Sequence, residues 1–265
     1  MFGSMKKAKT ALGVLFGFAL AVGPAHAQDL RLGANIGNVP WEFQNPKGDF
    51  IGFEIDLVNE IGKRLGHKIQ VVNIPFNGLF AAVESGQIDM AVSSLTITKK
   101  RLESVSFAQP YYDSDQSLSV TAASGITSLA GMAGKSIGVD TGSTGDVWTT
   151  QNKDKFKIAD IRRYEGLAPA MLDLAAGRID GYVSDIPAVQ YYVRDKPTYK
   201  VVARIPAGGQ YSIMFARNSP LAAQADAVIT RLKVEGFIAA LHKKWFGVAA
   251  EATTTTVKSA MMPKL

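Results

Sequence analysis

The chain has no cysteine. That excludes a disulfide framework, thiolate chemistry, cysteine-based metal sites and the acylated cysteine that tethers a lipoprotein. Histidine is nearly as scarce, three in 265 residues, so imidazole catalysis has little to draw on: His26 falls in the leader, His67 follows a helix end, and His242 lies near the C-terminus. Long apolar runs are missing too. The one candidate, Ala11 to Val22, is short of the ~20 residues that a membrane helix needs, and nothing later approaches that length. It sits between Lys6, Lys7 and Lys9 and the small-x-small triplet Ala25-His26-Ala27. This order describes an export signal over residues 1–27, cleaved to leave a mature chain from Gln28. The leader carries three lysines and no acid, so the net charge falls from +6 to +3 on cleavage. So mild a charge gives no ground for nucleic acid as a partner.

About 240 mature residues, roughly half apolar, can bury one full core or two smaller ones. There is no internal repeat. Leu30 to Ala34 reads as a first strand, and Asn45 to Asp49 as a turn. The stretch from Gly52 to Leu65 places Leu57, Val58, Ile61 and Leu65 at helical spacing, with Gly66 suited to the C-cap. Lys68 to Ile74 alternates as a strand, Asn77 to Glu84 reads as a helix, and Ile88 to Val92 as the next strand. Further strands are expected at 116–122, 136–139, 161–164, 178–183, 200–205 and 211–216, with helices at 168–176 and 187–194. Ala207-Gly208-Gly209 reads as a flexible stretch, and a last long helix begins at Ser219-Pro220 and runs towards Trp245. Strand–helix alternation of this kind predicts an α/β protein with largely parallel sheets. The tail, residues 249–265, lacks amphipathic spacing and is expected to be loose.

Polar groups gather at three predicted strand ends, where open α/β sheets bind ligands. The first is Ser93-Ser94-Leu95-Thr96-Ile97-Thr98-Lys99-Lys100-Arg101. Thr98 suits an N-cap, and three cations then fall in a first turn that already presents partial positive charge. That is unfavourable unless an anion sits nearby; a solvated basic turn is the plain alternative. The second is Thr141 to Gly145, a small-residue loop whose N–H groups suit an anion at a helix start, or a simple turn. The third is Asp185, either a helix cap or a ligand for a cation. Together they offer a cation for a carboxylate and an acid for an ammonium. An α-amino acid carries both.

The combination Gly52-Phe53-Glu54-Ile55-Asp56-Leu57 with Ile61-Gly62 and Leu65, Pro75-Phe76-Asn77-Gly78-Leu79, Gly86-Gln87-Ile88-Asp89 and Lys244-Trp245-Phe246-Gly247 resembles the polar amino-acid solute-binding proteins of bacterial ABC importers (extracellular solute-binding protein family 3). The likeness spans about Asp29 to Gly247. It implies the type II periplasmic binding protein fold: two α/β lobes joined by two hinge strands, with lobe one from 28–114 plus 210–248 and lobe two from 115–209. It also implies a periplasmic monomer, without cofactor or metal, that delivers an amino acid to an inner-membrane ABC permease complex. By position, Arg101 matches the carboxylate-binding arginine, with Thr96 and Ser94 as helpers. Thr144 with Ser143 matches the second-lobe carboxylate contact, Asp185 the ammonium partner, and Phe76 an aromatic wall whose alternative is a plain core role.

Two positions depart from the family pattern. Asn38 stands where a second aromatic wall is usual, and Asn35 where several relatives, including binders of cationic side chains, carry an acid. From these two residues the expected ligand has a neutral or acidic polar side chain rather than that of lysine or arginine. Trp41 either replaces the missing ring in part or belongs to the core. Rival functions are a cleft enzyme of the same fold, dehydratase-like, for which Asp140 or Asp146 would have to serve as the acid or base, and a ligand sensor acting through a membrane receptor.

Overall fold

A computed structural model describes residues 1–3 and 29–265; the expected signal, apart from its first three residues, lies outside the described residues. The elements are β1 (Leu30–Ala34), β2 (Phe43–Gln44), β3 (Phe50–Ile51), α1 (Phe53–Leu65), β4 (Ile69–Asn73), α2 (Leu79–Glu84), β5 (Met90–Val92), α3 (Lys99–Leu102), β6 (Val105–Phe107) and β7 (Tyr112–Thr121). There follow β8 (Ser136–Asp140), α4 (Thr144–Gln151), β9 (Asp160–Tyr164), α5 (Leu167–Ala175), β10 (Gly181–Asp185), α6 (Ile186–Val193), β11 (Tyr199–Tyr211), β12 (Met214–Ala216), α7 (Pro220–Val234) and α8 (Phe237–Phe246). They build two five-stranded sheets, ordered β4-β1-β5-β12-β6 and β11-β7-β10-β8-β9. Each sheet is mixed rather than largely parallel. β1 runs parallel to β4 and β5 while β12 runs antiparallel to β5 and β6; β8 runs parallel to β9 and β10 while β7 runs antiparallel to β10 and β11.

The helical spacing in α1 is realised as packing. Leu57, Val58 and Ile61 are fully buried, each worth about 2 kcal/mol over exposure, and Gly66 ends the helix in the left-handed conformation at φ 80°. At its start Phe53 N and Glu54 N donate to Pro40 and Trp41 carbonyls at 2.9 and 3.0 Å. A Cβ on Gly52, whose φ is 140°, would lie 2.0 Å from the Trp41 oxygen, so no other residue fits there. The single helix expected after Ser219 is two, because Gly236 takes φ 74° between α7 and α8. Ser219 holds the N-cap position with Pro220 behind it, without a side-chain capping bond.

The chain leaves the first sheet along β7 and comes back along β11. These two strands pair antiparallel, Tyr112 with Tyr211, Ser114 with Gly209 and Gln116 with Ile205, with an irregularity between Ile205 and Gly209. Residues 207–209, expected to be flexible, therefore belong to a strand. Asp115 explains it: its carboxylate accepts from Ala207 N and Gly208 N at 2.7 and 2.9 Å and from Arg204 Nε at 2.7 Å, which satisfies the backbone donors that the bulge leaves over. Those bonds hold the Asp115 carboxyl below its usual range despite partial burial.

The tail differs from its loose expectation. Thr255 donates to Asp113 from its backbone N (2.8 Å) and its hydroxyl (3.0 Å), and Thr256 is 2% exposed. Ala260 N donates to Gln109 Oε1 at 3.1 Å. The buried Lys233 amine donates to Gln109 Oε1 and the Pro110 and Lys258 carbonyls at 3.0, 2.6 and 3.0 Å. Ending the chain at Val248 strips one acceptor from a buried ammonium, so we expect a loss of about 2 kcal/mol of stability, read as a lower thermal midpoint. An unchanged midpoint would show that the tail contributes nothing to the fold.

Candidate ligand-binding cleft

Three of the polar strand ends named above open onto one cleft between the sheets, lined by Asn35, Asn38, Phe76, Ser94, Thr96, Arg101, Ser143, Thr144 and Asp185 among others. The first-sheet side rests on two buried acids. Glu54, on α1, accepts from Ser94 N at 2.9 and 3.2 Å and from the Tyr111 hydroxyl. Those bonds hold Ser94 at φ 44°, a left-handed conformation unusual for serine. Glu42 accepts from Ser93 Oγ at 2.7 Å and Asn38 Nδ2 at 3.0 Å. Burial, reinforced by Glu54, pushes Glu42 well above the usual carboxylate range, and burial also raises Glu54. Two carboxyls in contact away from water cannot both ionise. The pair therefore favours holding a proton, more strongly at Glu42 than at Glu54.

Arg101 is set by its own helix. Thr98 caps α3, its Oγ1 accepting from Arg101 N at 3.1 Å. The guanidinium donates to the Thr96 carbonyl at 2.7 Å and, across the cleft, to the Gly142 carbonyl at 3.3 Å. Its carbon stands 5.5 and 5.0 Å from the ring centres of Phe76 and Phe80. Phe76 is thus a wall behind the arginine. Among the described residues no acid forms an ion pair with Arg101, and burial pulls its pKa down to about 10.

On the second-sheet side Asp185 ends β10. It occupies the N-cap position of α6 but makes no side-chain capping bond, so capping does not account for it. Gln116, paired with it across β7, donates through Nε2 to Asp185 Oδ1 and to Thr144 Oγ1, the latter at 3.1 Å. The Thr144 hydroxyl proton stays free to donate. Gly145 makes room for this: a Cβ there would lie 2.8 Å from Gln116 Oε1. Ser143 has a different main task, capping α4 by accepting from Asp146 N at 3.0 Å. The expected anion nest at 141–145 is largely spent, since Thr141 N, Gly142 N and Ser143 N donate to Tyr164, Asp146 and Asp140 oxygens at 2.9, 3.1 and 3.0 Å.

Asn35 and Asn38 are partly committed as well. Asn35 Nδ2 donates to the Glu165 carbonyl at 3.1 Å, tying the two sides together, and Asn38 Nδ2 donates to Glu42 and, at 3.1 Å, to Ser94 Oγ. Trp41 is core: it is fully buried and meets Phe53, Tyr112 and Tyr211 edge-on at 5.3, 4.7 and 5.4 Å. Sequence reasoning missed Gln116, Ser184, Ala188 and the first turn of α5, Leu167 to Pro169, which also line the cleft. Only register across β7 could have flagged Gln116. Among the described residues no cluster of three or more His, Cys, Asp or Glu could hold a metal ion.

The family model for bacterial extracellular solute-binding proteins, family 3, matches residues 30–248. The chain belongs to that family. It is 34% identical over 184 residues to the lysine/arginine/ornithine-binding periplasmic protein of Escherichia coli K12, covering 68% of this chain and 70% of that one. In structure it is similar to an ancestral arginine-binding protein bound to arginine (TM-score 0.79, 29% identity, 84% of this chain and 100% of that one). It is also similar to the arginine-, lysine-, histidine-binding protein of Geobacillus stearothermophilus (TM-score 0.78, 28% identity, 84% and 97%). The two-lobed type II fold of these receptors is the fold of this chain.

The proton between Glu42 and Glu54 gives a pH test. A carboxyl whose folded pKa lies above its ordinary 4.5 contributes stability in full below that value and loses it as pH rises through the raised one. Glu42→Gln keeps an N–H donor towards Glu54 without a titrating proton. As pH rises above the ordinary carboxylate range its thermal midpoint should therefore fall less steeply than that of the wild type. Identical slopes would show that no proton is shared.

Proposed function

We propose that this periplasmic amino-acid-binding protein is the receptor of an ABC importer, closing its lobes on a ligand and passing it to an inner-membrane permease complex as a monomer. One observation carries the reading: Arg101 and Asp185 face one cleft from opposite sheets, each partly buried and, among the described residues, neither in an ion pair. A free α-amino acid supplies a carboxylate for the first, helped by Thr96, Ser94 and Thr144, and an ammonium for the second. Since these partners come from both lobes, the ligand binds the closed arrangement more strongly and shifts the population towards it.

A neutral or acidic ligand side chain, expected from Asn35 and Asn38, is set aside. The relatives above are named for arginine, lysine, ornithine and histidine, which supports a basic side chain here. We also infer that the protein is not an enzyme. Its relatives are named as binding proteins, and no histidine lines the cleft among the described residues; of the two acids considered, Asp146 is held by Arg163 at 3.0 and 2.8 Å, while Asp140 stays in the cleft.

Titration calorimetry of ligand-stripped protein against the common amino acids tests this directly. We expect one tight ligand class, with Arg101→Ala weakening it by about 100-fold or more, as for one partner removed from a desolvated pair. Near-wild-type affinity in Arg101→Ala would remove that residue from the site. Binding should also release protons. Burial, with Asp140 adding to it, lifts Asp185 to about 7, against Tyr211, Gln116 and Arg101, while a ligand ammonium favours the ionised form. Affinity should accordingly drop as pH falls through 7, with heats near neutrality that vary with the buffer's ionisation enthalpy. A flat profile would mean that Asp185 does not meet the ammonium.

A further inference from the structure

An α-amino acid needs one acid in this cleft, and the structure has two on the same side. Asp140 ends β8, and Asp185 ends the neighbouring parallel strand β10. Both line the cleft. Asp140 Oδ2 accepts from the Tyr182 hydroxyl at 2.7 Å and from Ser184 Oγ at 3.4 Å. Its other oxygen, Oδ1, is shielded from solvent and has no hydrogen-bond partner among the described residues. A desolvated carboxylate oxygen without a partner costs stability, and folding gives no reason to keep it. The cap of α4 is Ser143, and an asparagine would accept from Tyr182 equally well.

We infer that Asp140 determines specificity by receiving a second positive group of the ligand, the guanidinium, ammonium or imidazolium of a basic side chain. This rests on the amino-acid reading of the cleft. The charges decide it. A zwitterionic head group satisfies Arg101 and Asp185 and leaves Asp140 negative, with its free oxygen still unpartnered. A neutral side chain leaves that imbalance in place, an acidic one doubles it, and a cationic one removes it. On the first-sheet side Asn35 and Asn38 line the cleft as neutral amides and offer a cation no opposite charge. Glu165 is exposed at the rim, where water screens it. The acid that selects a cation therefore lies in the second lobe, next to the acid that holds the α-ammonium.

The test compares arginine with citrulline, its neutral isostere, by calorimetry on wild type, Asp140→Asn and Arg101→Ala. Wild type should prefer arginine by on the order of 100-fold. Asp140→Asn should lose most of that preference while binding citrulline within a few-fold of wild type. Arg101→Ala should lose both ligands. Wild type binding both equally, or Asp140→Asn keeping the preference, overturns the assignment of Asp140 while leaving the amino-acid receptor standing. No α-amino acid binding to wild type at all overturns both. The apo thermal midpoint of Asp140→Asn should not fall, since it loses no bond that wild type makes. Should that variant fail to fold, the wild-type ratio itself reads the same group. Burial lifts Asp140 to about 6, against its bonds to Tyr182 and Ser184, so between pH 8 and pH 5 the arginine-to-citrulline preference should shrink by about tenfold. Effects on Asp185 and Arg101 act on both ligands and divide out of that ratio. A ratio constant across this range counts against Asp140.

Discussion

A desolvated charge without a counter-ion is among the least stable things a protein can contain, and among the described residues Arg101, Asp185 and Asp140 stand around one cleft without an ion pair. Each is partly buried and has its pKa shifted chiefly by that burial; Arg101 and Asp185 feel each other's charge across the cleft without forming an ion pair. Neutral dipoles carry them instead: the Thr96 and Gly142 carbonyls on Arg101, Gln116 on Asp185, and Tyr182 on Asp140. Dipoles of this kind reduce the cost of burial without cancelling the charge. The Thr98 cap, the small residue at 145 and the pairing of Gln116 with Asp185 all serve to keep these groups fixed and apart.

Much of this was legible in the sequence, because the signals were local. The helical spacing in α1, the αL glycine after it, the threonine ahead of Arg101 and the acid closing β10 all act over a few residues. What escaped depends on tertiary pairing. Gln116 matters because β7 lies against β10, which no local pattern announces. The Glu42–Glu54 pair joins a loop to a helix, a contact that no local pattern announces. Residues 207–209 look flexible by composition, yet Asp115, far away in sequence, gives their backbone donors a fixed acceptor.

The side-chain preference shows the limit most clearly. Asn35 and Asn38 bear on the first lobe alone, where they make the cleft less anionic. Charge selectivity is a sum over both lobes, and Asp140 enters it only once β8 and β10 are placed side by side. An acid at the end of a strand looks the same in sequence whether it faces a cleft or the solvent.

The two crossings between lobes form one hydrogen-bonded ribbon, β7 against β11. Two separate linkers would act like a ball joint, free to tilt, twist and slide. A bonded pair of strands resists shear along its length and yields mainly by bending across it, as a hinge pin does. Lobes closing about such a ribbon, as proposed above, would move along essentially one mechanical coordinate, the gap between Arg101 and Asp185. Recognition and motion then share a part, because Gln116, which bonds Asp185 and Thr144 in the cleft, sits in the ribbon itself opposite Ile205.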